Sequence, residues 1–136
     1  MPRGSCLCQA IQYETERPLE GIDHCHCSMC RRAHGSAFST YGRVRREHVR
    51  VEDPDGALTW YVSSDPVQRA FCQRCGSSLF FRHEAAEAFE FIAVGTLDDD
   101  PGARPEAHIF VASKAPWYTI EDDLPQHEAY PPDVAG

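Results

Sequence analysis

This 136-residue chain is predicted to have a mainly β fold, and three features point there. Short runs rich in β-branched and aromatic residues recur along it, Gly, Pro, Asp and Ser break them up, and ten prolines and nine glycines leave little room for long helices. The first expected strand, Ala10–Tyr13, carries Ile11 and Tyr13, and the second, Ala37–Val44, carries Phe38, Thr40, Tyr41 and Val44. Leu58–Val62 and Val67–Phe71 follow, separated by a Ser-Ser-Asp-Pro turn signal. Ser78–Arg82, Phe89–Val94 and His108–Ala112 complete the set. One or two short helices are expected, at Ser28–His34 and over His83–Ala88. The run Asp98–Pro105 reads as a surface loop, and the chain from Pro125 onward, residues 126–136 in particular, as an extended tail.

The length suits one domain spanning 1–136, and 42% hydrophobic content with 14 aromatics is ordinary for a globular core. No stretch approaches the roughly 20 apolar residues of a membrane-spanning helix, and the mean hydropathy is -0.46. The start, Met1-Pro2-Arg3-Gly4-Ser5, lacks the apolar stretch of a signal peptide, so a reducing, cytoplasmic setting is expected. Clustered thiols in such a setting bind metal or do redox chemistry more often than they form disulfides.

Seven cysteines fall into three clusters: Cys6 and Cys8; Cys25, Cys27 and Cys30; Cys72 and Cys75. Four thiolates close a tetrahedral structural zinc site, whereas three leave one vertex open to a substrate. In an extended segment, residues two apart share a face, so Cys6 can pair with Cys8 and Cys25 with Cys27. His26 then lies on the opposite face and is read as a packing or supporting residue, as is His24. Cys72-x-x-Cys75-Gly76 is a metal knuckle in which glycine can take the strained backbone position. Its partners could be Cys6 and Cys8, or Cys27 and Cys30 as in a zinc ribbon. Spacing does not decide between them, but the first option is preferred because it leaves Cys25, Cys27 and Cys30 as one contiguous three-thiolate site.

Cys-x-Cys near the start, Cys25-His26-Cys27-Ser28-x-Cys30-Arg31-Arg32, Arg69-x-Phe71-Cys72-x-x-Cys75-Gly76-Ser77 and His108-Ile109-Phe110-Val111-x-Ser113-Lys114-Ala115-Pro116-Trp117 stand in one order along the chain. In these motifs the chain resembles the glutathione-dependent formaldehyde-activating enzyme family, which also includes centromere protein V, from Gly4 to Pro125. The resemblance implies a β-tent of coiled β-sheets stapled by zinc. It implies a structural zinc on Cys6, Cys8, Cys72 and Cys75 and a catalytic zinc on Cys25, Cys27 and Cys30, hence two zinc ions per chain. The second is expected to be the more labile, since three ligands hold a metal less firmly than four. The implied reaction adds glutathione to formaldehyde to give S-hydroxymethylglutathione, a carbon-sulfur lyase reaction in reverse.

The residues themselves agree with thiol chemistry. Three thiolates make zinc a softer and weaker Lewis acid than three neutral histidines would, a setting that suits an incoming thiol better than water. Ser28 is the expected N-cap of the short helix that carries Cys30. Charge is uneven: the whole chain carries -8, yet Arg31 to Arg50 holds six arginines against Glu47 alone. Arginine forks bind carboxylates in bidentate fashion, so Arg31 and Arg32 are candidate anchors for glutathione or another small thiol with carboxylates. The remaining arginines of that run read as solvated charge. His34, as a proton carrier, and His108 and Trp117, as pocket lining, complete the candidate substrate-binding residues; Trp117 beside Pro116 also fits a core position. Arg69 and Arg74 flank the knuckle and are read as structural.

Two other classes of function compete. Knuckles occur in zinc modules that bind protein or nucleic acid, but the net charge opposes nucleic acid outside the arginine run. An open three-cysteine site could also serve as a redox or zinc-responsive switch. Edge strands are compatible with either a monomer or a homodimer.

Overall fold

The computed structural model describes residues 1–131. In chain order the strands are β1 (Arg3–Ser5), β2 (Gln12–Thr15), β3 (Glu20–Cys25), β4 (Ser39–Arg45), β5 (Val49–Glu52), β6 (Leu58–Ser64), β7 (Val67–Cys72), β8 (Ser78–His83), β9 (Phe89–Ala93) and β10 (Ala107–Ile109). One α-helix, α1 (Ser28–His34), interrupts them, and short 3-10 turns fill several connections. The mainly β expectation holds, and α1 has the expected bounds. The second helical candidate is only a 3-10 turn, Glu84–Ala86. Among the described residues no helix is long and apolar enough to cross a membrane.

The chain divides into two compact units, Met1–Glu20 with Gly42–Ala103, and Gly21–Tyr41 with Arg104–Gly136. In the first, β1, β2 and β5 form an antiparallel sheet in the order β1-β2-β5. Its register sets Tyr13 opposite Gly4 on one side and Val51 on the other. A meander of β6, β7, β8 and β9 makes the larger sheet of this unit, each strand antiparallel to the next. Ile11, Tyr13, Leu79, Phe80 and Ile92 are buried here, and the Tyr13 and Phe80 rings meet edge to face at 5.1 Å. The buried carboxylate of Glu90 is met by a two-pronged Arg82 fork at 2.8 and 2.9 Å, which also lies over the Trp60 ring.

In the second unit β3 is paired in parallel with β10, in a register that matches Asp23 with Ala107, His24 with His108 and Cys25 with Ile109. Gly35 stops α1 in a left-handed conformation (φ 61°), and its N–H bonds the Arg31 carbonyl. Beyond β10, Gln126 bridges His108, and the His127 N–H donates to the His108 carbonyl at 2.9 Å. Tyr130 packs on Phe110. The rest of the expected tail, 132–136, lies outside the described residues.

Candidate metal centres

Two groups of thiols converge, and each lies within one unit. Cys6, Cys8, Cys72 and Cys75 bring their sulfurs within 4.8 Å of one another, and so do Cys25, Cys27 and Cys30; either group could hold a metal ion. The partner of the Cys72 knuckle, open from spacing alone, is thereby the amino-terminal pair: Cys8 Sγ lies 3.8 Å from Cys72 Sγ and 3.6 Å from Cys6 Sγ.

The four-thiol group is built from two turns. The extended geometry expected for Cys6 and Cys8 is not found: β1 ends at Ser5, the Gln9 N–H closes a turn onto the Cys6 carbonyl at 3.1 Å, and Gln9 itself is left-handed (φ 65°). A turn brings two sulfurs to one point as well as a strand does, and it lets Leu7 point into solvent. The second turn leaves β7 at Cys72, where the Gly76 N–H bonds the Cys72 carbonyl at 2.7 Å. Gly76 has φ 81°, the strained position anticipated for it.

Ser77 joins the two turns, a role the sequence reading did not assign. Its hydroxyl accepts the Leu7 N–H at 2.9 Å and lies 3.2 Å from Cys75 Sγ. The hydrogen bond from Ser77 is the main reason the Cys75 thiol falls to about 5 from its ordinary 9.0. A thiol so inclined to ionise is a prepared metal ligand. Arg74 takes no part, pairing instead with Asp55 on the surface, and Arg69 donates to Ser63.

The three-thiol group occupies the end of β3 and the start of α1. Cys25 is the last residue of β3, Cys27 is extended and caps α1, and Cys30 is buried on the helix. The cap is Cys27 and not the expected Ser28: the Cys30 N–H donates to Cys27 Sγ at 3.2 Å. Bonds from the Cys27 and Cys30 thiols, followed by burial, push the Cys25 thiol far above its ordinary range. Crowded sulfurs resist sharing negative charge among themselves, and a cation at their centre relieves that conflict.

The remaining candidates lie in the same unit as this group. His26 is fully buried, as its position between Cys25 and Cys27 predicted, and its N–H bonds the Ile109 carbonyl at 2.9 Å. Its Nε2 lies 2.8 Å from Nδ1 of His108, also fully buried, and His108 Nε2 lies 2.9 Å from Asp122. Burial first, and then His108, His24, Lys114 and Arg31, push the His26 imidazole down to about 4. His24 meets Thr40 at 2.7 Å, and its pKa is also lowered, mainly by burial. His34 bonds the Tyr41 hydroxyl at 2.8 Å. Arg31 is half-buried with its Nε unpartnered, whereas Arg32 is exposed. Trp117 is 70% exposed, which excludes the core position that its neighbour Pro116 suggested. In the late motif, Lys114 Nζ donates to the carbonyls of Ala115 and Tyr118.

Most of the other arginines of the basic run are engaged locally. Arg43 pairs with Glu20, Arg45 with Glu47 and Arg50 with Glu14, and Arg46 donates to the Phe89 carbonyl. A run so neutralised is a poor phosphate track.

The family model of the glutathione-dependent formaldehyde-activating enzymes matches residues 1–113. An uncharacterized lyase of Schizosaccharomyces pombe is 26% identical over 133 residues, covering 88% of this chain and 91% of that protein. A Halomonas elongata protein, provisionally named a glutathione-dependent formaldehyde-activating enzyme, is 26% identical over 125 residues, covering 87% of this chain and 80% of its own length. A Penicillium rubens protein with the same provisional name is 34% identical and covers 82% of this chain; this chain spans 60% of it. A crystal structure of a Rhodobacter sphaeroides protein superposes with a TM-score of 0.60 at 25% identity, over 76% of this chain and 91% of that one. With the match running through both thiol groups, the chain belongs to the glutathione-dependent formaldehyde-activating enzyme family.

Proposed function

We propose that the protein is a zinc-dependent carbon-sulfur lyase that, in the synthetic direction, adds the thiol of glutathione to formaldehyde or another small aldehyde. The observation that carries this reading is the unequal pair of thiol groups, four sulfurs in one and three in the other. Both donor sets suit zinc, which takes soft thiolates and four-coordinate geometry. The four-thiol group is complete in itself and serves the fold. The three-thiol group has one vertex to spare, and Cys25, Cys27 and Cys30 are its catalytic ligands. Zinc bound there would supply a Lewis-acid site that favours ionisation of an incoming thiol.

The chain's own residues do the rest. The half-buried Arg31 is assigned to a carboxylate of the thiol substrate, with the exposed Arg32 next to it in sequence. His34, His108 and the exposed Trp117 are the further substrate-binding candidates of the same unit. Family membership and the names of the relatives support the substrates, and the depleted basic run weighs against a nucleic-acid module.

Calorimetric titration of glutathione into reduced, zinc-loaded protein tests the reading, with S-methylglutathione as the control that lacks a free thiol. Saturable binding by glutathione alone, followed by carbon-13 NMR detection of S-hydroxymethylglutathione forming faster than without protein, is the expected result. Equal binding of both compounds, or no rate above background, overturns it.

A further inference from the structure

Among the described residues four strands have a single neighbour, β1, β5, β6 and β10, and they are not equally protected. β1 has only three residues, β5 carries Arg50 and Glu52, and β10 is covered by the chain that follows it, through the Gln126 bridge and the His127 N–H. Brevity, charge and cover are the ordinary devices that stop an edge from recruiting another strand. β6, Leu58-Thr59-Trp60-Tyr61-Val62-Ser63-Ser64, has none of them. It is seven residues long, without charge or proline, and it exposes Val62 (67%) and Tyr61 (43%).

Pairing with β7 fixes which way each backbone group of β6 points. The Gln73 N–H donates to the Ala57 carbonyl at 2.9 Å, so in the register that follows Thr59 and Tyr61 exchange hydrogen bonds with Phe71 and Arg69. Leu58, Trp60 and Val62 therefore turn their N–H and C=O groups outward. The Leu58 N–H accordingly meets the Asp53 carboxylate at 2.9 Å, outside the strand pair. The outward groups of Trp60 and Val62, with the Leu58 carbonyl, stand open to a further strand.

We propose that β6 is the surface through which two copies of this chain associate, joined antiparallel about a two-fold axis at Trp60. In that register Trp60 exchanges hydrogen bonds with its counterpart, and each Val62 N–H reaches the Leu58 carbonyl of the other copy. Leu58 covers the exposed Val62 on one face of the new pair, and Thr59 covers Tyr61 on the other.

Charge favours this occupant and this direction. The chain carries -8, so two copies repel over most of their surface and can meet only along a neutral stretch, which β6 supplies. Arg74, paired with Asp55 at 3.2 Å, stands near the start of β6, and Asp65 follows its end. Antiparallel joining sets Asp65 of each copy toward Arg74 of the other, whereas parallel joining sets like with like. One such edge per copy closes the assembly at two. A contact along Leu58–Val62 is only ~17 Å long. That places it among the smaller specific interfaces, with micromolar association.

Sedimentation velocity of zinc-loaded protein, from low micromolar to submillimolar concentration, tests the proposal, with backbone amide exchange as a second readout. Wild type should pass from monomer to dimer and no further. In the dimer the Trp60 and Val62 amides should exchange about tenfold or more slower than in the monomer. Val62→Lys sets a charge against Leu58 of the other copy and should weaken the dimer about a hundredfold or more, whereas Val62→Thr, neutral and β-branched, should keep it. Because Val62 is largely exposed, both variants should keep the zinc content and the melting temperature of the wild-type monomer, which separates loss of the dimer from loss of the fold. A wild type that stays monomeric throughout, a dimer that survives Val62→Lys, or assembly beyond two copies each overturns the proposal. So does a dimer whose Trp60 and Val62 amides exchange as fast as the monomer's.

Discussion

The sulfur of Cys27 accepts the backbone N–H of Cys30 at 3.2 Å, so one thiol of the triplet is also the cap that starts α1. A candidate metal ligand and the start of the helix thus share an atom, and substitution can separate the two roles. Serine keeps an acceptor at the cap but removes the thiolate, while alanine removes both. With zinc kept in the four-thiol group and none at the triplet, Cys27→Ser should match wild type within a few tenths of a kcal/mol, and Cys27→Ala should lose about 1 kcal/mol, read from urea denaturation. Identical stabilities for the two variants would show that the cap contributes nothing.

The two thiol groups should differ in what they support. Structural zinc contributes on the order of 10 kcal/mol to the folding of small domains. Cys72 is fully buried at the end of β7, so Cys72→Ser should lose most of its cooperative thermal transition. Cys27→Ser, by contrast, should remain folded with about one zinc per chain instead of two, by elemental analysis. Equal loss of melting temperature in both would argue that both groups are structural.

Ser77 is a sharper probe of the four-thiol group, because its hydroxyl serves Leu7 and Cys75 at once. Ser77→Ala should cost about 1 to 2 kcal/mol and raise the Cys75 pKa. Competition with a chromophoric chelator should show faster zinc loss from this group and an unchanged rate from the triplet. Zinc loss at the wild-type rate would mean that the backbone turns alone hold the sulfurs.

Tyr13 gives a pH signature that involves no thiol. Burial raises its phenol above the ordinary 10.0, while its hydroxyl bonds Thr96 at 2.6 Å. The unfolded phenol therefore loses its proton at lower pH than the folded one, and the stability that Tyr13 lends is complete below about pH 10 and declines above it. Tyr13→Phe should cost about 1 kcal/mol at neutral pH through the lost hydrogen bond, and its stability should fall less steeply than that of wild type above pH 10. Parallel alkaline slopes for the two proteins would contradict the shift.

Much of the fold was legible because its signals are local. The strands β4 and β6 to β9 carry runs of aromatic and β-branched residues between turn residues, and α1 is bounded by the cysteine motif and Gly35. Three strands escaped. Both β1 and β5 are short, and β3, Glu20-Gly21-Ile22-Asp23-His24-Cys25, buries a single aliphatic side chain among polar ones. The membership of the thiol groups was readable from spacing and resemblance, but the backbone of Cys6 and Cys8 was not, since a turn and a strand can aim two sulfurs alike. Asp122 escaped altogether: it meets His108 across 14 residues with no periodicity to flag it, and became visible only with the ring geometry.

The parallel pairing of β3 with β10 joins Cys25 to Ile109, 84 positions further along the chain. On the ribosome, the four sulfurs of the first group are all available once Cys75 has emerged. The triplet's own sulfurs emerge much earlier, yet the strand that pairs beside β3 is made later still. A nascent chain thus presents these three thiols before the strand that pairs with β3 exists. Ribosome-bound chains ending between Cys75 and Ala107 should accordingly be more open to alkylation at Cys25, Cys27 and Cys30 than the finished protein.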